Sequence, residues 1–305
     1  MGRAIVVLSV LGAVSALLWQ LVGPGFGVPQ LDELDPHEHP PIELPAGLPL
    51  RATFAGLSNP VRGTAAPPSS GQSIHLSWVR IRGGELRAPW WTSGPPERLY
   101  PAAVALPDFS LSKTEVTVAM YRRCVEAGAC PADTLTRATL HGEVAEDWSL
   151  NCNWRYSDRE DQPMNCVDLT EARAFCSWVD GRLPSEAEWV WAAGASRGWL
   201  HPWGDEPPDC DHAVMYVPEH TWGCGGDGLQ NPCSRAAGAS PDGVCDLAGN
   251  VWERVEACGP DADQICAHGG SAGYPSPLTM LNAARILDDG TTRADDIGIR
   301  CARDG

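Results

Sequence analysis

The chain has 305 residues and a formal net charge of −17 at pH 7. Its length fits one large domain or two small ones. The acidic balance argues against a partner that presents a phosphate backbone, so we expect no nucleic-acid ligand. Thirteen tryptophans are an unusual number and indicate large rigid fillers for a core with many loops.

An uncharged run of nineteen residues, 4–22, follows the positively charged start of the chain. Its length approaches that of a membrane span. It lacks an A-x-A cleavage motif and a lipobox cysteine, so residues 1–25 are either a cleaved signal peptide or an N-terminal membrane anchor. Both alternatives predict an extracytoplasmic chain, either secreted or periplasmic, or anchored by this segment alone.

Residues 26–73 are rich in Pro, Gly and Ser and contain few apolar runs. Such a composition cannot bury enough apolar surface to order itself, and it predicts a linker. The two histidines of DPHEHP, at 35–40, belong to this linker. The folded domain is therefore predicted to span 74–305.

Two short helices are predicted by their start signals. Asp168 precedes Glu171 by three residues, and Ser185 precedes Glu188 by three. In each pair, a side-chain oxygen can cap a backbone N–H while the glutamate reaches back to the cap residue.

The predicted ends of these helices are glycines. Gly181 and Gly194 stand where left-handed C-cap residues are expected. The segment HPWGDE, at 201–206, follows without helical or strand periodicity, so specific contacts must hold it.

Twelve cysteines, an even number, predict disulfide bonds in an exported domain. The chain has no C-x-x-C motif, which removes the commonest zinc signature. Spacing leaves the pairing open. Cys124 with Cys130 or Cys152, and Cys258 with Cys266, are the local candidates.

The run NCVDLTEARAFCSWVDGRLPSEAEWVWAAGASRGWLHPWGDE (165–206) resembles the formylglycine-generating enzyme family, also called the sulfatase-modifying-factor family. Further matches occur in order at WVRIRGGEL (78–86), LSKTEVTVAMYRRCVEAGAC (111–130), CDHAVMY (210–216), GVCDLAGNVWERV (243–255), HGGS (268–271) and IGIRCARD (297–304). The resemblance implies an α+β fold, the family's variant of the C-type-lectin-like fold. That fold is sparse in regular secondary structure, and here we expect it to be rich in disulfides.

The resemblance also implies one disulfide, between Cys176 and Cys301. The family's second common bridge has no counterpart, because Ala193 and Asn282 occupy its positions.

Active members of the family hold Cu(I) between two cysteines and oxidise a client cysteine to formylglycine. The matching positions here are Tyr274 and Thr279. Neither side chain supplies a soft anionic ligand at neutral pH. We therefore expect no copper and assign no catalytic residue. Non-haem iron would need two histidines and a carboxylate, and the sequence has no H-x-x-x-H-x-E pattern.

Trp252 and Ser271 match residues that line the family's oxygen-binding pocket beside the copper, and Arg285, the third predicted pocket residue, matches an arginine of the family's AARS run. Each also has an ordinary structural interpretation, as core filler, turn cap and ion-pair partner.

A structural calcium site is implied by CDLAGNVWE. Asp246 and Glu253 match its carboxylates, and Gly249 and Val251 match its main-chain carbonyls. Calcium binds six to eight hard oxygens, which a bent loop of this kind can present.

Two functions of different class remain open. The first is a non-catalytic module that binds an unknown protein, peptide or glycan. The second is a related oxidoreductase that uses oxygen to oxidise a protein or a small molecule at an unassigned site.

Overall fold

The computed structural model describes residues 76–87, 103–140, 142–218, 222–226, 228–256, 258 and 265–305. The predicted signal or anchor and the whole of the predicted linker lie outside these residues and stay predictions. Within the described ranges, no helix is long and apolar enough to cross a membrane.

Regular elements are short and are joined by long loops. The described residues contain four α-helices: α1 (Val118–Glu126), α2 (Glu146–Ser149), α3 (Leu169–Trp178) and α4 (Glu186–Ala192). Single turns of 3-10 helix occur at Asn153–Arg155, Ala195–Arg197, Trp222–Gly225, Ala236–Gly238 and Pro277–Met280. The predicted sparse α+β architecture is confirmed.

The strands form two main sheets and two hairpins. They are β1 (Trp78–Ile81), β2 (Gly84–Arg87), β3 (Ala103–Leu106), β4 (Phe109–Ser112), β5 (Ala138–Leu140), β6 (Glu143–Ala145), β7 (Trp252–Arg254), β8 (Ile265–His268), β9 (Arg285–Asp288), β10 (Ile297–Gly298) and β11 (Ala302–Asp304). One sheet has the order β1-β4-β11, and the other has the order β10-β7-β8-β9. The β10–β7 pair is parallel and the other pairs are antiparallel. β2 pairs with β3, and β5 with β6.

Helices α3 and α4 begin as predicted, each with a capping box. The Asp168 carboxylate accepts a 2.8 Å bond from the Glu171 N–H, and the Glu171 carboxylate accepts a 2.7 Å bond from the Asp168 N–H. Ser185 and Glu188 repeat this exchange at 3.2 and 2.9 Å. The start signals therefore fix both helix origins.

One of the two predicted helix ends is wrong by a residue. Gly194 has the expected left-handed conformation, with φ 105°, but after α3 that conformation belongs to Asp180, with φ 59°. Gly181 N–H then closes the turn by donating to Cys176 O at 2.8 Å. Gly181 instead provides space, since a Cβ there would lie 2.6 Å from Ala302 O.

The largest apolar cluster packs α1 against α3. Tyr121 and Phe175 stack with ring centroids 5.7 Å apart. Cys176, from α3, is bonded to Cys301 inside the same cluster. This bond is the one that the family resemblance implies.

Four other disulfides close local loops: Cys124–Cys130, Cys152–Cys166, Cys210–Cys224 and Cys233–Cys245. The first resolves the alternative left open for Cys124. The suggested Cys258–Cys266 bond is wrong, because both residues are buried free thiols in hydrogen-bond contact.

Arg300 joins the two main sheets from a fully buried position. Its guanidinium binds both carboxylate oxygens of Glu253, on β7, at 2.6 and 2.7 Å. It also donates to the carbonyl oxygens of Ser112, at the end of β4, at 2.8 Å and of Cys245 at 2.7 Å. Trp189 Nε1 donates to the same carboxylate at 2.7 Å. One guanidinium thus ties together β4, β7 and the loop before β7.

Replacing Arg300 with Met should lower the free energy of unfolding by about 3–5 kcal/mol, because it leaves the Glu253 carboxylate buried without its cation. Urea unfolding measures the change. Arg173→Met is the control. The side chains of Arg173 and its ion-pair partner Glu256 are each 45% exposed, and such pairs contribute at most about 1 kcal/mol to the free energy of unfolding. Equal losses in the two variants would refute the special role of Arg300.

Removing the Cys176–Cys301 bond should destabilise the protein more than removing Cys124–Cys130. The first closes a separation of 125 residues and the second a separation of 6. The difference in unfolded-state loop entropy amounts to about 2–3 kcal/mol. Paired Cys→Ala variants, unfolded in urea without reductant, test the order. A larger loss for the Cys124–Cys130 variant would contradict it.

Candidate functional site

Strand β8 runs into the turn that carries the predicted pocket serine. Gly269 and Gly270 adopt φ values of 100° and 74°, a conformation that side chains rarely tolerate. A Cβ on Gly270 would lie 2.8 Å from the carbonyl oxygen of Thr279. The two glycines therefore let the segment with Thr279 pack directly on the turn before Ser271.

Trp252 and Tyr274 meet edge to face, with ring centroids 6.0 Å apart. Burial raises the pKa of the Tyr274 phenol to about 12, and the Asp296 carboxylate adds to the effect. Trp252 Nε1 is buried without a hydrogen-bond partner among the described residues. Tyr274 therefore stays neutral and packs as an aromatic side chain at one of the two positions that the resemblance assigns to copper thiolates.

Thr279 occupies the other position and is fully buried. Its hydroxyl donates to Ser276 O at 2.7 Å, within a single turn of 3-10 helix. A neutral, internally bonded hydroxyl is a poor ligand for a soft metal ion.

The sequence analysis missed Asp296, which contacts this pocket, and its chain neighbour Asp295. Ser271 Oγ donates to the Asp296 carboxylate at 2.8 Å, and Asp296 O accepts the Trp252 N–H at 2.8 Å. Burial, followed by the charge of Asp296, raises the pKa of Asp295 to about 7. Asn151 donates to the Asp295 carboxylate at 2.7 Å. The only feature of the sequence that could have pointed to Asp295 and Asp296 is that two acidic residues stand together just before IGIRC.

Arg285 does not join Trp252 and Ser271. It pairs across the sheet with His268, which pairs with Glu253. These three residues lie on one face, whereas Trp252, next to Glu253 in β7, points to the other. Arg285 Nη1 donates to the Glu186 carboxylate, on α4, at 2.7 Å. Only Trp252 and Ser271 of the three predicted pocket residues come together.

The other face carries a group of metal-binding side chains. The ligand atoms of Glu186, Cys266 and His268 lie within 4.8 Å of one another, and all three residues are buried. The Cys258 thiol contacts that of Cys266. His268 Nε2 lies 3.2 Å from the Glu186 carboxylate.

The predicted calcium loop has the strained backbone that such a loop needs. Asp246, Gly249 and Asn250 have φ values of 56°, 85° and 63°. A Cβ on Gly249 would lie 2.5 Å from the Val214 carbonyl oxygen. The sequence GN is therefore required here by conformation and by space.

The charges at this loop are unbalanced. Glu115, in the KTEVT motif, is a third fully buried carboxylate, coupled electrostatically to Asp246 and Glu253. Arg300 is the cation of this group. Burial, followed by the charge of Asp246, raises the pKa of Glu115 well above its usual range. Burial likewise raises the pKa of Asp246.

These residues fit a hard divalent cation. Glu115 is in hydrogen-bond contact with the Asp246 carboxyl, and its Oε2 has no donor from another described residue. A dication together with Arg300 would balance the three carboxylates. Glu253 is already held by Arg300 and Trp189. Glu115 accepts from Asn250 and Asp246 accepts from the Cys233 N–H, but among the described residues neither forms an ion pair. The sequence analysis overlooked Glu115.

Residues 66–305 match the family model of the sulfatase-modifying factor enzyme 1-like domain. The chain belongs to this family. The match supports the expectation from the sequence motifs and agrees with the disulfide-rich α+β fold described above.

Curated relatives of this family member differ in activity. This chain is 30% identical to the inactive C-alpha-formylglycine-generating enzyme 2 of Bos taurus, over 46% of this chain and 50% of that protein. It is 35% identical to the hercynine oxygenase of Mycolicibacterium thermoresistibile, over 49% of this chain and 36% of that protein. It is 27% identical to the formylglycine-generating enzyme of Bos taurus, over 53% and 52%. The chain thus spans about half the length of these relatives, or less.

Solved structures support the fold alone. PvdO from Pseudomonas aeruginosa has a TM-score of 0.57 at 22% identity, covering 79% of this chain and 100% of PvdO. Treponema denticola variable protein 1 has a TM-score of 0.57 at 16% identity, covering 81% of this chain and 100% of that structure.

Proposed function

We propose that this chain is an exported or membrane-anchored binding module of the sulfatase-modifying-factor family that does not generate formylglycine. The observation that carries the proposal is the state of Tyr274 and Thr279. Both are buried, one packs on Trp252, and the other is bonded to its own turn. The positions that the resemblance assigns to copper thiolates are filled by groups with no affinity for Cu(I).

Three further observations agree with this proposal. The relatives include a protein named as inactive, so the family fold is compatible with loss of this reaction. The fold persists without copper ligands because the Arg300–Glu253 pair and the Cys176–Cys301 bond do not involve them. Five disulfides suit an oxidising, extracytoplasmic compartment. The ligand class we propose is a protein, a peptide or a glycan.

The second candidate function is an oxidoreductase with a different site. Asp295, with a pKa of about 7, is the chain neighbour of Asp296, which binds Ser271, and an acid of that pKa suits proton transfer at neutral pH. The hercynine oxygenase relative also favours this alternative. Non-haem iron is less well supported, because each metal-binding group among the described residues has at most one histidine.

We also propose structural calcium at the Asp246 loop. Asp246, Glu115 and Glu253 would supply carboxylate oxygens, and Gly249 and Val251 would supply main-chain carbonyls. When bound, the ion would supply the positive charge that this buried group lacks.

Incubating the purified chain with Cu(I), oxygen and a Cys-x-Pro-x-Arg peptide should leave the peptide cysteine unchanged. Turnover should not exceed that of the peptide with Cu(I) alone, because Tyr274 and Thr279 offer no thiolate. Mass spectrometry of the peptide detects the aldehyde, and an active formylglycine-generating enzyme is the positive control. Enzyme-dependent aldehyde would overturn the first proposal.

Metal analysis separates the two candidate functions. Purified protein holding stoichiometric copper or iron would favour the oxidoreductase, whereas calcium without either metal would support the binding module.

Oxygen consumption by the variants tests the role of Asp295. Consumption that is lost in Asp295→Asn but kept in Asp242→Asn, an exposed control, would identify Asp295 as catalytic.

Calcium added to chelator-treated protein should raise the Tm. At a hundredfold excess over Kd, binding contributes about 2.7 kcal/mol, or roughly 5–10 °C for a domain of this size. The shift should be lost in Asp246→Asn and kept in Asp242→Asn. Differential scanning fluorimetry measures it. No shift in the wild-type protein, or an equal shift in Asp246→Asn, would contradict the site.

The calcium effect should also depend on pH. The pKa values of Glu115 and Asp246 are raised in the folded protein. Protonation therefore stabilises the metal-free fold at low pH, and this contribution is lost as pH rises through the folded pKa. Calcium competes with those protons, so its Tm shift should grow from pH 4 to pH 7. A shift that is constant over this range would show that these carboxyls are not ligands.

A further inference from the structure

Two cysteines remain as buried thiols in a protein whose other ten cysteines form disulfides. Cys258 follows β7, and Cys266 lies in β8. Their thiols are in hydrogen-bond contact. Two adjacent thiols sealed in a core are a weakly bonded arrangement, since a thiol is a poor donor and acceptor.

His268 lies two residues after Cys266 on the same strand, so both side chains point to the same face. Imidazole, thiol and the Glu186 carboxylate have ligand atoms within 4.8 Å of one another. His268 Nε2 contacts Glu186 Oε1 at 3.2 Å, while Nδ1 is buried and has no hydrogen-bond partner. If Nε2 carries the proton, Nδ1 has a free lone pair.

We propose that Cys266 Sγ and His268 Nδ1 bind one Zn²⁺ ion, with Glu186 holding the imidazole in its ligand orientation. Cys258 Sγ, which contacts the Cys266 thiol, would move toward the ion and become the third ligand. Thiolate and imidazole are the donors that zinc prefers. A histidine ligand usually donates its other N–H to a carboxylate, and the Glu186–His268 contact has that form. The site is on the sheet face opposite Trp252, so it does not depend on the proposed function.

The charges favour this ion. Two thiolates balance one dication, and Glu186 is already balanced by Arg285 Nη1 at 2.7 Å. Binding would exchange two thiol protons for Zn²⁺ and leave the buried group neutral. A buried group of zero net charge avoids the large desolvation cost of an unpaired ion.

A sixth disulfide is the competing outcome for these cysteines. It would use both thiols, but it would leave His268 Nδ1 buried without a partner, which native proteins rarely tolerate. Zinc accounts for both thiols and for the imidazole together.

Zinc titration of the full chain tests the proposal. The protein is purified with its disulfides intact, freed of metal with a chelator and titrated with Zn²⁺, and bound metal is measured by mass spectrometry. We expect one Zn²⁺ per chain. Co²⁺ in place of Zn²⁺ should give the near-ultraviolet absorption of a thiolate–cobalt bond, which reports on ligation in the wild-type protein without any substitution.

Three variants locate the site. Cys266→Ser should lose the ion, and Glu186→Gln should weaken binding about 10–100-fold, since it only disturbs the orientation of His268. His212→Gln is the matched control. It removes a histidine that pairs with Asp209 elsewhere and should bind as the wild-type protein does.

Four results would overturn the proposal. In the wild-type protein, these are the absence of bound metal while both thiols remain titratable, or a Cys258–Cys266 disulfide found by mapping. The third is stoichiometric binding of Cu(I) without binding of Zn²⁺. The fourth is an unchanged Zn²⁺ affinity in a Cys266→Ser variant that is folded. The cobalt absorption in wild-type protein distinguishes a true failure of ligation from a variant that merely misfolds.

Discussion

The bidentate pair between Arg300 and Glu253 is the constraint on which the arrangement of this fold depends. Short strands and helices of four to ten residues cannot be stable by themselves. A buried guanidinium with five donors needs acceptors from several directions, and it finds them on Glu253, Ser112 and Cys245. Satisfying Arg300 therefore requires the two sheets and the loop before β7 to be in place together.

The same pair explains why the sheet has two chemically different faces. Glu253 points toward α4 to reach Arg300 and Trp189, so its neighbour Trp252 must point the other way. His268 and Arg285 share the face of Glu253, next to Glu186 of α4. A pocket of aromatic and hydroxyl groups thus lies on one face, and a group of thiols, imidazole and ion pairs lies on the other.

Local features of this fold were predictable and distant ones were not. The capping boxes at Asp168 and Ser185 depend on residues three apart, so sequence alone located both helix starts. The position of Arg285 depends on strand register, which its own segment does not encode. The roles of Glu115 and Asp295 depend on burial by distant parts of the chain, and without it each is an ordinary acid. The resemblance to a family supplied Cys176–Cys301, which no spacing rule yields.

The two positions that the resemblance assigns to copper ligands hold side chains that pack or bond locally, so the family match over residues 66–305 says little about the chemistry at this pocket. Tyr274 fills its place by packing on Trp252, and Thr279 satisfies its hydroxyl within one turn. Neither change touches Arg300 or the Cys176–Cys301 bond. The contacts that hold the framework therefore do not depend on Tyr274 and Thr279, and the two faces of the sheet carry side chains of different chemistry.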